Sequence, residues 1–562
     1  MTTHLFTNKP EASNTLDVAE LIQLANNFFR QLPAASNPIE PSGLTGWTTG
    51  FKTMPTLVPQ SPQAFGAPFP GFPTSSTFSR GSIPNVGNDL LDSLVEQGLL
   101  DRVHPQSFGF PGQGDLESLV KTLFTPKVVS QKDAINGDHA YWDHTPGYSD
   151  QLNHQAAPFD LNAVRRDFPI LSERVNGKPL AWLDNAATTQ KPQAVIDRLS
   201  YFYAHENSNI HRAAHELAAR ATDAYEAARN KVAKFLGAAS SDEIIFVRGA
   251  TEAINLLAQT YGKENIKQGD EIIVSLLEHH ANIVPWQQLA QEKGAHIRVI
   301  PVDDNGQIVL EEFRKLLNSR TKLVSITQVS NALGTVVPVK QVIDIAHQAG
   351  VKVLVDGAQA VSHMPVNVQA LDADFYVFSG HKVFGPTGIG VVYGKKALLE
   401  QLPPWQGGGN MIVDVTFERT IYQGVPARFE AGTGNIADAV GLGAAIDYLA
   451  KLGMENIAHY EHALLEYGTM HLSSVPGVRL IGTAKDKASV LSFVLDGYET
   501  EEVGRALNKE GIAVRSGHHC AQPILRRFGL EATVRPSLAF YNTYEEIDRL
   551  VDVVRSLSGK KK

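Results

Sequence analysis

From about residue 160 onward, short runs of apolar, β-branched residues alternate with stretches whose apolar positions recur every three or four residues. The first pattern is that of a buried strand, the second that of an amphipathic helix. Strands are predicted at 244–247, 271–275, 297–302, 323–327, 351–355, 375–378 and 389–393, with helices between them, 213–236 and 339–348 among them. Such alternation predicts an α/β domain built on a mostly parallel sheet. After about residue 428 the pattern becomes mixed, with hairpin-like strands and a final helix at 544–557, which reads as a second, smaller α+β domain.

Residues 1–158 obey a different pattern. They hold 16 of the 30 prolines, and stretches such as 37–46 and 55–84 are rich in Pro, Gly, Ser, Thr and Phe without a helical or strand period. This composition buries too little apolar surface to offset chain entropy, so the segment reads as a largely disordered tail. Three islands interrupt it. Val18, Leu21, Ile22, Ala25, Phe28, Phe29 and Leu32 fall on one face of a helix within 15–32, and shorter apolar sets stand at 89–100 and 115–124. Aromatic–Pro–Gly clusters, PFPGFP at 68–73 and FGFPGQG at 108–114, lie among them. Two readings stay open: a solvated tail with nascent helices, or a set of short docking motifs that need a groove elsewhere.

Charge and composition narrow the functional classes. The net charge of −9 over 562 residues is mildly acidic, against the basic excess expected of a nucleic-acid binder. Eight basic and 14 acidic residues put −6 of that charge in the tail. No run of 18 apolar residues exists, so no spanning helix is expected. The opening MTTHLFTNKP has no basic segment leading into an apolar one, so no secretory signal is expected either. The single cysteine, Cys520, excludes an internal disulfide and points to a reducing, cytoplasmic setting.

The residues with chemistry stand where strands end, the place where open α/β sheets bind ligands. In VRGATEAIN (247–255) a strand turns at Gly249 into a helix, exposing backbone N–H groups and the Thr251 hydroxyl; the reading is an anion site or an ordinary turn. In VLVDGAQA (353–360), Asp356 ends a strand, either as a helix N-cap or as the charged partner of a cationic ring nitrogen. In FSGHKVFGPTGIG (378–390), Ser379, His381 and Lys382 leave a buried strand in a glycine-rich loop. Lys382 is there a surface lysine or a Schiff-base lysine. With Asp356 on the preceding strand, the pair fits pyridoxal phosphate, which needs a lysine and an acidic partner for the pyridinium nitrogen. In VRSGHHCAQP (514–523), Cys520 follows two histidines, His518 and His519, whose charge favours a thiolate. No metal site is expected from the histidine pair, since no further ligand lies close in sequence.

From about residue 159 to the C-terminus the chain resembles the group II, SufS-like cysteine desulfurases, a pyridoxal-phosphate-dependent branch that also includes selenocysteine lyases. The resemblance is carried by LDNAATTQKP (183–192), NIHRAAHEL (209–217), RGATEAIN, EHHANIVPW (278–286), QVSNALGT (328–335), VDGAQA, SGHK, RFEAGTGN (428–435), RSGHHCA and VRPSLAFYNT (534–543). It implies the fold type I, aminotransferase class V-like architecture and a homodimer with its sites at the dimer interface. The division then expected is a large cofactor-binding domain at 184–427 and a small α+β domain made of 159–183 and 428–562.

Carried over by resemblance, Lys382 anchors pyridoxal 5'-phosphate and His279 stacks on its ring and shuttles protons. Asp356 pairs with the ring nitrogen and Gln359 with the phenolic oxygen. Thr251, Ser379 and His381 hold the phosphate, with the Ala250 N–H beside them and Thr433 reaching over from the partner subunit. Asn331 and Arg535 grip the substrate carboxylate, where a guanidinium fork suits bidentate binding. Cys520 accepts the sulfur of L-cysteine as a persulfide, for a protein acceptor or for storage. Two departures stand out: Ala250 replaces a usual Thr, and Gly434 replaces a usual Pro; the short RSGHHCA form lacks the longer cysteine loop of the group I enzymes. The tail resembles the cargo-loading region of desulfurases packaged in family 2 encapsulin shells, which implies an encapsulin shell protein as the partner of residues 1–158. Selenocysteine lyase is the enzymatic alternative. A shell-interaction scaffold with a vestigial catalytic half is the non-enzymatic one.

Overall fold

The computed structural model describes residues 157–211 and 215–560. The tail islands, its aromatic clusters and the first two positions of the helix expected at 213–236 lie outside the described residues.

A seven-stranded sheet forms the centre. Its strands are β1 (Ile244–Val247), β2 (Glu271–Ser275), β3 (His296–Ile300), β4 (Thr321–Thr327), β5 (Lys352–Asp356), β6 (Phe375–Ser379) and β7 (Gly390–Gly394), in the order β1-β7-β6-β5-β4-β2-β3. Only β7 runs antiparallel to its neighbours, and the other pairings are parallel. β2, β6 and β7 are buried at every position, as strands covered on both faces must be. β3, at one edge of the sheet, is exposed at three of its five positions. β7 approaches the turn that follows β1 closely: a Cβ added at Gly390 would lie 2.4 Å from the Cα of Gly249. Glycine at that crossing lets the antiparallel strand close against the β1 turn.

Helices cover the sheet. α1 (Gln193–His205), α2 (Glu216–Leu236) and α4 (Ile436–Leu452) pack together, after the short α3 (Ala250–Leu257) that follows β1. α4 is apolar nearly all round and buries eleven residues, so it needs neighbours on more than one side. Gly443 on it would bring a Cβ within 3.1 Å of the Ala228 Cβ of α2, a helix contact that only small residues allow.

The C-terminal part builds a four-stranded antiparallel sheet from β8 (Val478–Leu480), β9 (Phe493–Leu495), β10 (Arg515–Gly517) and β11 (Thr533–Arg535), in the order β8-β9-β11-β10. α5 (Met454–Ser473), α6 (Thr500–Lys509) and α7 (Tyr544–Ser558) pack with it. Both α6 and α7 begin with reciprocal capping boxes, Glu499 with Glu502 and Thr543 with Glu546. A short parallel pairing of Ala181–Trp182 with Ile512–Ala513 ties the start of the described chain to this region. Among the described residues no helix is long and apolar enough to cross a membrane.

Candidate active site

The carboxyl ends of β1, β2, β4, β5 and β6 open on the same side, and each delivers a polar side chain there. β5 ends on Asp356, buried at 4% exposure, whose Oδ1 accepts the N–H of Ala358 at 2.9 Å. Asp356 is thus a cap of its own turn and a carboxylate facing a cavity at once. Burial raises its pKa, with the Ala358 N–H and the Lys382 charge opposing. β6 runs into a tight turn at Gly380–Lys382. The Lys382 amine makes no hydrogen bond or ion pair among the described residues, and burial pulls it down to about 8. A neutral, nucleophilic amine is what that environment favours.

His279 follows β2 and caps a short turn, its Nδ1 accepting the N–H of Ala281 at 3.0 Å. Burial first, and then the Lys382 charge, push it down to about 3, so its ring is neutral. The bond at Nδ1 assigns the proton to Nε2. Its neighbour in sequence, Glu278, is fully buried: its Oε1 accepts from Ser275 Oγ at 2.5 Å and the Thr327 N–H at 3.0 Å, and its Oε2 from Asn282 Nδ2 at 2.6 Å. Burial raises it to about 7.

At the β1 end, the Ala250 N–H donates to Ser379 Oγ at 2.8 Å. The first turn of α3 leaves the Thr251 N–H without an intrahelical partner. His381 is held at about 4 by burial and the nearby lysines. Opposite, Arg535 comes from β11 at 1% exposure. Its Nη1 donates to the Asn331 carbonyl at 2.9 Å and its Nη2 to Asp184 at 3.1 Å. Asn331 donates through Nδ2 to the His519 carbonyl at 2.7 Å. The Asn331 Oδ1 and the Arg535 Nε are buried without a partner.

These side chains enclose a cavity of about 180 Å³. Ten of the twelve residues singled out from the sequence line it: Ala250, Thr251, His279, Asn331, Asp356, Gln359, Ser379, His381, Lys382 and Arg535. Thr433 does not; it is exposed and borders a separate cavity of about 680 Å³. Cys520 sits next to the cavity-lining His519, near enough to exert a Coulombic pull on Lys382 and Arg535. Both His519 (φ 54°) and Cys520 (φ 55°) take the left-handed conformation, uncommon for residues other than glycine. The Cys520 backbone is gripped at both ends: its N–H donates to His518 Nδ1 at 3.0 Å, and its carbonyl accepts the His280 N–H at 2.8 Å.

Sequence reasoning did not single out Glu278, Arg515 or the Thr188–Thr189 pair, and it named His519 only as a neighbour of Cys520. Each lay within a quoted motif, but only packing shows that Arg515 and His519 line the cavity and that Glu278, Thr188 and Thr189 support residues that do. Among the described residues no group of three or more His, Cys, Asp or Glu stands together to hold a metal ion.

The residues present fit pyridoxal phosphate. A partnerless, half-buried lysine, a buried carboxylate with a free side, a neutral imidazole and a helix N-terminus surround one space, and residues with unpaired polar atoms line it too. The aminotransferase class-V family matches residues 181–550. The chain belongs to that family, whose fold is the fold type I architecture and whose cofactor is pyridoxal 5'-phosphate. Within it, the chain's place is among the cysteine desulfurases. A cysteine desulfurase of Synechococcus elongatus is 70% identical over 571 aligned positions, covering 98% of this chain and 87% of the relative. A cysteine desulfurase of Escherichia coli O8 is 52% identical, covering 70% of this chain and 97% of its own length. The crystal structure of the E. coli cysteine desulfurase CsdA aligns with a TM-score of 0.66 at 40% identity, covering 71% of this chain and 98% of that one.

Proposed function

We propose that this chain is a pyridoxal-phosphate-dependent cysteine desulfurase of the SufS-like group II, converting L-cysteine to L-alanine and taking the sulfur onto Cys520. The observation that carries the reading is the convergence of Lys382, Asp356 and His279, from three strand ends, on one cavity that Arg535 closes from the small sheet.

Lys382 would hold the cofactor, and Asp356 would keep its ring nitrogen protonated. So held, the cofactor supplies an electron sink for the substrate's Cα. Neutral His279 would cover the ring without adding charge, and Gln359, tied by Nε2 to the Ala186 carbonyl at 2.7 Å, would pair with the phenolic oxygen. Thr251, Ser379 and His381 would hold the phosphate, beside an Ala250 N–H that is already given to Ser379 Oγ. Arg535 and Asn331 bind the substrate carboxylate and so orient its Cα–H toward the Lys382 amine, which removes that proton. The Cys520 thiolate then attacks the substrate's sulfur. An S–S bond forms, the C–S bond breaks, and the carbon skeleton takes up protons to leave as alanine. Loading with L-cysteine tests this: alanine release together with a Cys520 heavier by one sulfur atom supports it, and alanine without that mass gain removes Cys520 from the role.

Thr433 is proposed to complete the cavity of a second subunit in a homodimer, since it borders no part of its own. The tail is proposed to load the enzyme into an encapsulin shell in the cytoplasm, with sulfur stored there or passed to an acceptor protein. Its composition supports this, as does the coverage of relatives: the Synechococcus protein matches almost the whole chain, whereas the E. coli enzyme matches 70% of it while using 97% of its own length.

A further inference from the structure

The segment LDNAATTQKP at 183–192 threads the site without a task in the chemistry above. Its residues grip different parts of it. Asp184 accepts from Arg535, the Ala186 carbonyl accepts from Gln359, and Thr188 Oγ1 lies 3.2 Å from Nδ1 of His381. The densest contact falls on a single atom. The carbonyl oxygen of His381, immediately before Lys382, meets the Thr189 N–H at 3.0 Å, Thr188 Oγ1 at 3.0 Å, Thr189 Oγ1 at 3.2 Å and Lys191 Nζ at 3.3 Å. A carbonyl has two lone pairs, so these donors share them and none is free to move the oxygen far.

On the other side of the lysine, the Phe384 N–H donates to Thr189 Oγ1 at 2.8 Å. The Thr189 hydroxyl therefore reaches the main chain one residue before Lys382 and two residues after it. Thr189 is 1% exposed. Phe384 has φ 62°, a conformation that a bulky residue keeps only where its surroundings impose it. Lys191 supplies the second arm. Its ammonium contacts Thr188 Oγ1 at 3.3 Å, the Thr189 carbonyl and the His381 carbonyl, and it forms no ion pair among the described residues. Burial pulls it down to about 8. Charge on this side chain is thus spent on the backbone beside Lys382 rather than on a carboxylate.

We propose that Thr189 and Lys191 are positioning residues that fix the backbone on both sides of Lys382 and so aim its amine into the cavity. The inference rests on Lys382 being the cofactor's anchor. It predicts an effect on the bound cofactor's geometry, which a role in stability alone does not.

Thr189→Val keeps the side chain's shape and removes the hydroxyl, whereas Thr189→Ser keeps the hydroxyl. In the cofactor-loaded enzyme, Thr189→Val lowers kcat about ten- to hundredfold and leaves KM for L-cysteine within about twofold. It also weakens the visible circular dichroism of the bound cofactor, which reports how firmly the ring is held. Thr189→Ser restores both. Lys191→Met moves both readouts in the same direction, with a loss of about three- to tenfold. Unchanged kcat and dichroism in Thr189→Val overturn the inference, as do equal losses in the Ser and Val variants, which mean that packing alone matters. Should Thr189→Val fail to fold, Lys191→Met decides, and its indifference overturns the inference. Lys382→Ala keeps the two readings apart. A retained visible cofactor band there removes Lys382 as the anchor, while a lost band with indifferent Thr189 and Lys191 variants removes only the bracket.

Discussion

Arg535 and Asp184, 351 positions apart in the chain, meet at 3.1 Å beside the cofactor cavity. Burial pulls Arg535 down to about 10 and raises Asp184, so each charge is held against its own desolvation. With Nη1 committed to the Asn331 carbonyl and Nε unpaired, the guanidinium is fixed in direction and still has a donor to give. A lysine lacks that planar fork. Arg535→Lys is expected to raise KM for L-cysteine about ten- to hundredfold with a smaller change in kcat. Steady-state alanine formation measures both. A KM within about twofold of wild type removes Arg535 from carboxylate binding.

Cys520 is held by its backbone while its thiol is free of any hydrogen bond among the described residues. Cys520→Ala is expected to keep the visible cofactor absorbance and to lose sulfur transfer by at least about a hundredfold, as removal of a nucleophile does. Normal turnover in this variant would falsify the assignment.

The Lys382 amine must be neutral to take up the cofactor, and burial places its pKa at about 8. Reloading of the cofactor-free protein with pyridoxal phosphate is expected to speed up as pH rises and to level off above about 8. Stopped-flow absorbance follows this directly. A midpoint near the ordinary lysine value of 10.5 means the amine is not desolvated. Lys382→Ala is expected to show no visible cofactor band at any pH.

Glu278 carries its proton to about pH 7 in the fold, against 4.5 for the free side chain. Between those values the folded state binds the extra proton, so its contribution to stability is full below the lower value and is lost as pH rises through the upper one. The interval corresponds to on the order of 3 kcal/mol at most. Glu278→Gln stays neutral throughout and lacks that loss. Its Tm relative to wild type is expected to rise between about pH 5 and about pH 8. A Tm difference that is flat with pH shows that Glu278 is ionised in the fold.

Removal of residues 1–155 is expected to leave alanine formation unchanged and to abolish co-purification with the shell protein. Undiminished co-assembly assigns loading to the catalytic part instead.

Period and composition were enough to place the seven strands, because a buried strand announces itself in a local run of apolar residues. β1 and β2 lie where their patterns put them, and the others differ by a few residues at their ends. The end positions differ because pairing with a neighbour, not local pattern, decides where a strand stops. β3 starts at His296 since that residue pairs with Glu271. The site was legible to the same extent: Asp356, His279 and Lys382 each follow a strand closely, and open α/β sheets place such residues at one edge.

The chain by itself thus determined the sheet, the strand ends that carry chemistry, and a lone thiol in a loop of histidines. Tertiary structure alone decided which distant residues face one another. Arg535 reaches Asp184, Thr189 and Lys191 close on the carbonyl before Lys382, and Glu278 is sealed in by Ser275, Asn282 and Thr327. The physical reason is that desolvation and long-range hydrogen bonding depend on what is packed around a group. No spacing of residues along a chain records that environment.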